Sequence, residues 1–195
     1  MTDYFALLNE PRRPWLDPDA LKTKYLTLST QFHPDRSHGS PAADRDAANR
    51  RYTEINAAYQ CLREPRDRLR HLLELELGHK PSELGNVPPE LADSFFVIGK
   101  LLREADALIA EKSATTSPIL QAAVFARATP VHSRIQEILD DLARRTQPLL
   151  DELQALNPKW ETDRPLARLE EIARNLGYFN RWSSQLRERM LKLTL

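Results

Sequence analysis

Residues 21–35 read LKTKYLTLSTQFHPD, and their spacing decides the fold. Leu21, Tyr25, Leu28 and Phe32 fall at i, i+4, i+7 and i+11, one apolar stripe on a helix of about four turns. Asp17 and Pro18 supply its start: a side chain able to accept from first-turn N–H groups, then a proline preset for the first helical position. Pro34 supplies its stop, because proline disfavours helical geometry in the residue before it. Residues 36–41, Arg-Ser-His-Gly-Ser-Pro, have loop chemistry. A further helix is expected over 42–63, with Tyr52, Ile55, Tyr59 and Leu62 on one face and Pro65 as its terminator. The short loop between the two helices predicts an antiparallel hairpin.

Outward from the hairpin, Tyr4, Leu7 and Leu8 share a face of a short first segment that stops at Pro11. On the other side, residues 67–77 carry Leu69, Leu72 and Leu73 before Gly78. Four helices therefore make a small domain over 1–78. The stretch 79–89, HKPSELGNVPP, holds three prolines and a glycine and reads as a linker. Over 90–195 a helical bundle of about three main helices is expected. Leu91, Phe95, Ile98, Leu102, Ala105 and Ile109 form the seam of its first helix. The region 119–156 is helical in pattern, with a break expected near Pro130 and a kink or break near Pro148. The final helix repeats Leu166, Leu169, Ile172, Leu176, Phe179, Leu186, Met190 and Leu193, with Gly177 its weak point. No period-2 strand is convincing, so the fold class is all-α.

Of the 195 residues, 41% are hydrophobic and 29% charged, a globular balance rather than a disordered one. Lys plus Arg and Asp plus Glu are both 28, so no basic excess is available for nucleic-acid phosphates. The single cysteine, Cys61, excludes an internal disulfide and any multi-cysteine metal site. Five histidines lack a zinc-like spacing, and neither a P-loop nor a nucleophile elbow occurs. We therefore expect no cofactor, no metal and no enzymatic activity. The start, MTDYFALLNEP, shows no basic region before an apolar core, and no apolar run approaches a membrane span. A cytoplasmic protein without membrane contact is the expectation.

Asp3-Tyr4-Phe5…Leu7-Leu8, His33-Pro34-Asp35, Glu54-Ile55-Asn56-Ala57-Ala58-Tyr59, Leu62 and Pro65, taken together, resemble the J-domain of DnaJ-type co-chaperones over about residues 2–77. The resemblance implies that His33, Pro34 and Asp35, with the basic face of the preceding helix, dock on a DnaK-like ATPase chaperone. Docking there stimulates ATP hydrolysis, so the chemistry belongs to the partner. Local physics agrees: Pro34 restricts the loop, His33 offers a ring, and Asp35 offers an acceptor for a charge-assisted pair. Lys22, Lys24 and Arg36 supply the basic contribution, although Lys22 and Lys24 equally fit a solvated helix face. Family members place more basic residues after the tyrosine, where this chain has Leu26 and Thr27.

Generic DnaJ proteins continue with a Gly/Phe-rich linker and a cysteine-rich zinc module; here a bundle follows instead. That arrangement is similar to the HscB (Jac-type) J-proteins of iron–sulfur cluster assembly. Leu176-Gly177-Tyr178-Phe179-Asn180-Arg181-Trp182 with Leu186 and Met190-Leu191, and Arg68-Leu69-Arg70-His71-Leu72-Leu73, carry the likeness. It implies an HscA/DnaK-like chaperone and an iron–sulfur scaffold of the IscU type as partners. Phe96, Val97, Lys100, Leu101, Glu104 and Tyr178 would form the scaffold-binding face. Where the family is rich in glutamate, this chain has Val97-Ile98-Gly99-Lys100-Leu101-Leu102. The loss of acid favours a different client as the alternative, and a helical interaction protein without co-chaperone activity is a third reading. Packing against another helix explains Phe96, Val97 and Leu101 equally well.

Overall fold

The computed structural model describes residues 2–37, 41–80 and 88–194, and the side chains of residues 36, 37 and 42 fall outside that description. Every regular element among the described residues is helical. Helix α1 spans Tyr4–Leu7, α2 Pro18–Gln31, α3 Ala42–Arg63, α4 Pro65–Leu77, α5 Ala92–Ala114, α6 Pro118–Leu156 and α7 Leu166–Thr194. Short 3-10 turns occupy Pro34–Ser37, Pro89–Leu91 and Asn157–Lys159. No helix among the described residues is long and apolar enough to cross a membrane.

The chain forms two compact units, Met1–Pro81 with Leu149–Arg174, and Ser82–Pro148 with Asn175–Leu195. In the first, the Asp17 carboxylate accepts from the Ala20 N–H at 2.8 Å and starts α2. Phe32 closes the helix, its N–H donating to the Leu28 carbonyl. Three cross-pairs fix the direction of α3 beside it. Tyr25 stacks on Tyr59 near one end, while Phe32 and His33 meet Arg51 and Tyr52 near the other. Partners descend in number as α2 ascends, so the hairpin is antiparallel. The Tyr25–Tyr59 rings lie 4.0 Å apart with planes at 9°, and the Tyr25 hydroxyl donates to Asn56 Oδ1 at 2.8 Å. Such a stack contributes about 0.5–1.5 kcal/mol beyond its area.

The deep core of this unit is Phe5, Leu8, Leu21, Ile55, Leu62, Leu69, Leu72 and Leu73. The stripe on α2 becomes shallower toward the loop: Leu21 is buried, whereas Tyr25, Leu28 and Phe32 are half-buried. One charged side chain lies within the core. Arg68 is 4% exposed and donates to the carbonyls of Pro14 at 3.0 Å and Leu62 at 2.8 Å. Helix α4 ends at Gly78, whose φ of 75° is left-handed. A Cβ there would meet nothing within 4 Å, so backbone conformation alone favours glycine.

Leu149–Arg174 clusters with the N-terminal helices rather than with the remainder of the C-terminal half. The Trp15 N–H donates to Asn157 Oδ1 at 3.1 Å, Arg164 pairs with Glu76, and Arg13 reaches Glu161. Trp160 is 1% exposed. The compact units are thus interleaved along the chain, not arranged as one block before residue 79 and another after 89. Residues 81–87 of the expected linker lie outside the described residues.

The second unit takes α5, the first part of α6 and the last part of α7. Helix α6 runs unbroken through Pro130 and Pro148, contrary to the interruptions expected there. The reason is which face the prolines occupy. Both are exposed, as are Ala126 and Arg144, whose carbonyls lose the N–H that proline cannot offer, and water satisfies such groups. Meanwhile Ala128, Val131, Ile135, Leu139 and Leu142 remain buried along the opposite side. Helix α5 also departs from its expected seam: Phe95 is 47% exposed, while Leu101 and Leu108 are buried beside Ile98 and Ala105.

Candidate chaperone-docking loop and client face

At the tip of the α2–α3 hairpin, His33, Pro34 and Asp35 follow the end of α2 directly. Pro34 begins the 3-10 turn Pro34–Ser37, which carries Asp35 outward. The Asp35 carboxylate is 84% exposed. The Asp35 N–H donates to His33 Nδ1 at 3.3 Å, and Oδ2 of the largely exposed carboxylate lies 3.5 Å from the same ring nitrogen. The ring also meets α3: His33 and Tyr52 form a T-shaped pair, centroids 5.5 Å apart at 78°. Arg51 sits 5.8 Å from the centroid of Phe32. Two consecutive α3 residues thus brace the two residues that lead into the loop. The apolar spacing of α3 places Tyr52 on its core face and does not mark Arg51; no local motif identifies either as a support for the loop.

The basic residues expected beside this loop divide. Lys22 is exposed and makes no ion pair among the described residues. Lys24 is committed elsewhere, its Nζ lying 2.9 Å from the Asn9 carbonyl and 2.9 Å from Glu10. Asn9 adopts a φ of 54°, the left-handed turn that aims this carbonyl, and asparagine tolerates it. The side chain of Arg36 lies outside the described residues. Arg12 is held by Asp3, whose carboxyl stays below its ordinary pKa: burial opposes this, but the Ala6 N–H and the Arg12 guanidinium prevail. Leu26, at a position where the family is basic, is 52% exposed.

The second unit separates the expected client face into exposed and buried members. Phe96 and Val97 are 71% and 58% exposed, and Lys100 is exposed. Leu101 is 1% exposed and Tyr178 5%, so both pack inside the unit and cannot present a free surface as expected. Their burial follows from helix geometry: Leu101 falls on the Ile98–Ala105–Leu108 side of α5, opposite Phe96 and Lys100. Glu104 is half-buried and forms a two-pronged pair with Arg134 at 2.9 and 3.0 Å. Tyr178 still lines the edge of a cleft of about 190 Å3 between α5 and α7, with Phe95, Ile98, Leu102, Arg181 and Trp182.

The DnaJ domain family model matches residues 3–71, and that region is a DnaJ domain. The fold of the whole chain is similar to that of HscB proteins. Chaperone HscB from Vibrio cholerae is 21% identical, with a TM-score of 0.58 and all of both chains covered. The human co-chaperone protein HscB is also 21% identical at a TM-score of 0.58, over 96% of this chain and 82% of that one.

Proposed function

We propose that this protein docks through His33, Pro34, Asp35 and Lys22 on a DnaK/HscA-like chaperone, stimulates its ATPase, and delivers a protein client held by the α5 face. The reading rests on one observation above all: an exposed Asp35 carboxylate on a loop braced by Tyr52 and Arg51. A preorganised acceptor can pair with a basic partner group without first ordering the loop, which lowers the cost of association. ATP hydrolysis takes place on the partner. The HscB-like fold makes an iron–sulfur scaffold of the IscU type the first client to consider. Lys100 within the otherwise apolar Val97–Leu102 run favours a second reading, the same device with another client.

Steady-state ATP turnover by the DnaK-type chaperone of the same organism tests the docking half. Turnover rises on adding this protein and does not rise with Asp35→Asn. Equal stimulation by both forms would remove the co-chaperone assignment. A binding titration with the organism's scaffold protein tests the client half, and absence of binding at high micromolar concentration transfers the role to the second reading.

A further inference from the structure

We propose that the α5–α7 face of the second unit is a docking surface for a protein segment that is both apolar and acidic. The inference rests on the client-carrying reading above and names the chemistry of what is carried. Phe95, Phe96 and Val97 are three consecutive large apolar residues, all exposed. Beside them the cleft of about 190 Å3 has Ile98 and Leu102 on one wall and Tyr178 and Trp182 on the other. Gly99 keeps that wall low, and the Arg103 guanidinium lies close by, 3.7 Å from where a Cβ on Gly99 would stand.

Charge then decides the occupant. Phe96, Lys100 and Arg103 recur at i, i+4 and i+7, one exposed stripe of α5. Arg181 lines the cleft from α7. Lys100, Arg103 and Arg181 are all exposed, and none forms an ion pair among the described residues. The acids farther along α5 are already neutralised: Glu104 by Arg134, Asp106 by Arg189 and Glu111 by Arg127. Glu90 and Asp93 remain without a partner among the described residues, both at the N-terminal end of the helix. A chain with no net charge therefore presents unpaired cations beside the exposed apolar run Phe95–Val97. Carboxylates on a partner complement these cations, and like charges oppose a basic partner.

An anionic membrane shares part of this chemistry. Helices that lie on membranes separate an apolar face from a basic one. Here two cations share the α5 stripe with Phe96 and a third, Arg181, lines the neighbouring cleft, which suits a segment with alternating apolar and acidic side chains.

The test uses the full chain and two fluorescein-labelled peptides with the same leucines and phenylalanines, alternating with Asp/Glu in one and with Lys in the other. By anisotropy at low salt, the acidic peptide binds at least about tenfold tighter. The triple variant Lys100→Glu, Arg103→Glu, Arg181→Glu removes that preference, and Phe96→Ser weakens binding with the charges intact. Equal affinity, a basic preference, no binding of either peptide, or a preference that survives charge reversal overturns the proposal. So does co-sedimentation with phosphatidylglycerol vesicles through the same three residues if the acidic peptide does not bind. Turnover by the DnaK-type chaperone is read on the same preparations. Its loss in the unaltered protein tells against the docking reading alone, whereas peptide results tell against this face alone.

Discussion

His33 and Tyr52 form a T-shaped pair with ring centroids 5.5 Å apart, while His33 Nδ1 accepts the Asp35 amide. The loop residue at the centre of the docking reading is thus oriented from α3 and by its own neighbour at once. Removing the α3 contact while keeping bulk, as in Tyr52→Leu, leaves His33 free to sample other rotamers. With about 0.5–1.5 kcal/mol in such a pair, the concentration for half-maximal ATPase stimulation should rise about twofold to thirteenfold with the maximum unchanged. Asp35→Asn instead lowers the maximum. If Tyr52→Leu behaves as the unaltered protein does, the brace has no role in docking.

Lys24 is tied to Asn9 and Glu10, which leaves Lys22 as the unpaired lysine of α2 among the described residues. Leu26 stands exposed on the same helix. On the docking reading, electrostatic steering by α2 should be weak and apolar contact should carry a larger share. Lys22→Ala should change half-maximal stimulation by no more than about threefold, the scale of one exposed charge. Leu26→Ser should cost more than Lys22→Ala. Stimulation should also fall only gently between low and physiological salt. A steep salt dependence, or the reverse order of the two variants, contradicts this partition.

Much of the hairpin was legible because local chemistry and tertiary packing agree there: Asp17-Pro18 starts a helix, Pro34 stops it, and Pro65 both terminates α3 and opens α4. The prolines of α6 mislead because a proline penalty is an average over contexts. Pro130 and Pro148 sit on the exposed face, while packing on the opposite side holds the helix together. Leu101 and Phe95 exchange roles for a related reason. Both belong to apolar spacings that fit a helix, and only the positions of α6 and α7 choose between them. The placement of Leu149–Arg174 with the N-terminal helices depends on contacts such as Trp15 with Asn157, which are 142 positions apart. No spacing rule reaches that far.

Arg68 offers a test of the first unit that is independent of any partner. Burial pulls its pKa down to about 10, and its two recorded acceptors are main-chain carbonyls, of Pro14 and Leu62. A planar fork can reach both at once, whereas an ammonium is a single point. Arg68→Lys should therefore destabilise the fold despite keeping the charge, and Arg68→Met should cost on the order of 3 kcal/mol through two stranded carbonyls. Urea denaturation measures both. A lysine variant as stable as the parent contradicts the need for the fork.

His71 gives the fold a defined response to acid. It is 7% exposed, its Nε2 accepts the Tyr4 N–H at 3.1 Å, and it packs against Tyr4 and Phe5. The neutral ring therefore carries its proton on Nδ1, and a second proton on Nε2 would confront the Tyr4 N–H. Burial lowers the pKa from 6.5; Asp3 and Glu74 oppose the shift and Arg12 adds to it. With the folded pKa depressed, the unfolded chain binds the proton more readily, so stability is fully present above about pH 6.5 and is lost as pH falls through the folded value. Urea midpoints should decline as pH falls from about 7.5 through the folded pKa and level off below it. His71→Gln can still accept from Tyr4 through its amide oxygen but cannot titrate, so its midpoint should start lower and stay flatter over that interval. Asp3 titrates at more acidic pH and leaves the comparison clear. A decline as steep in His71→Gln as in the parent would place the acid response on another group.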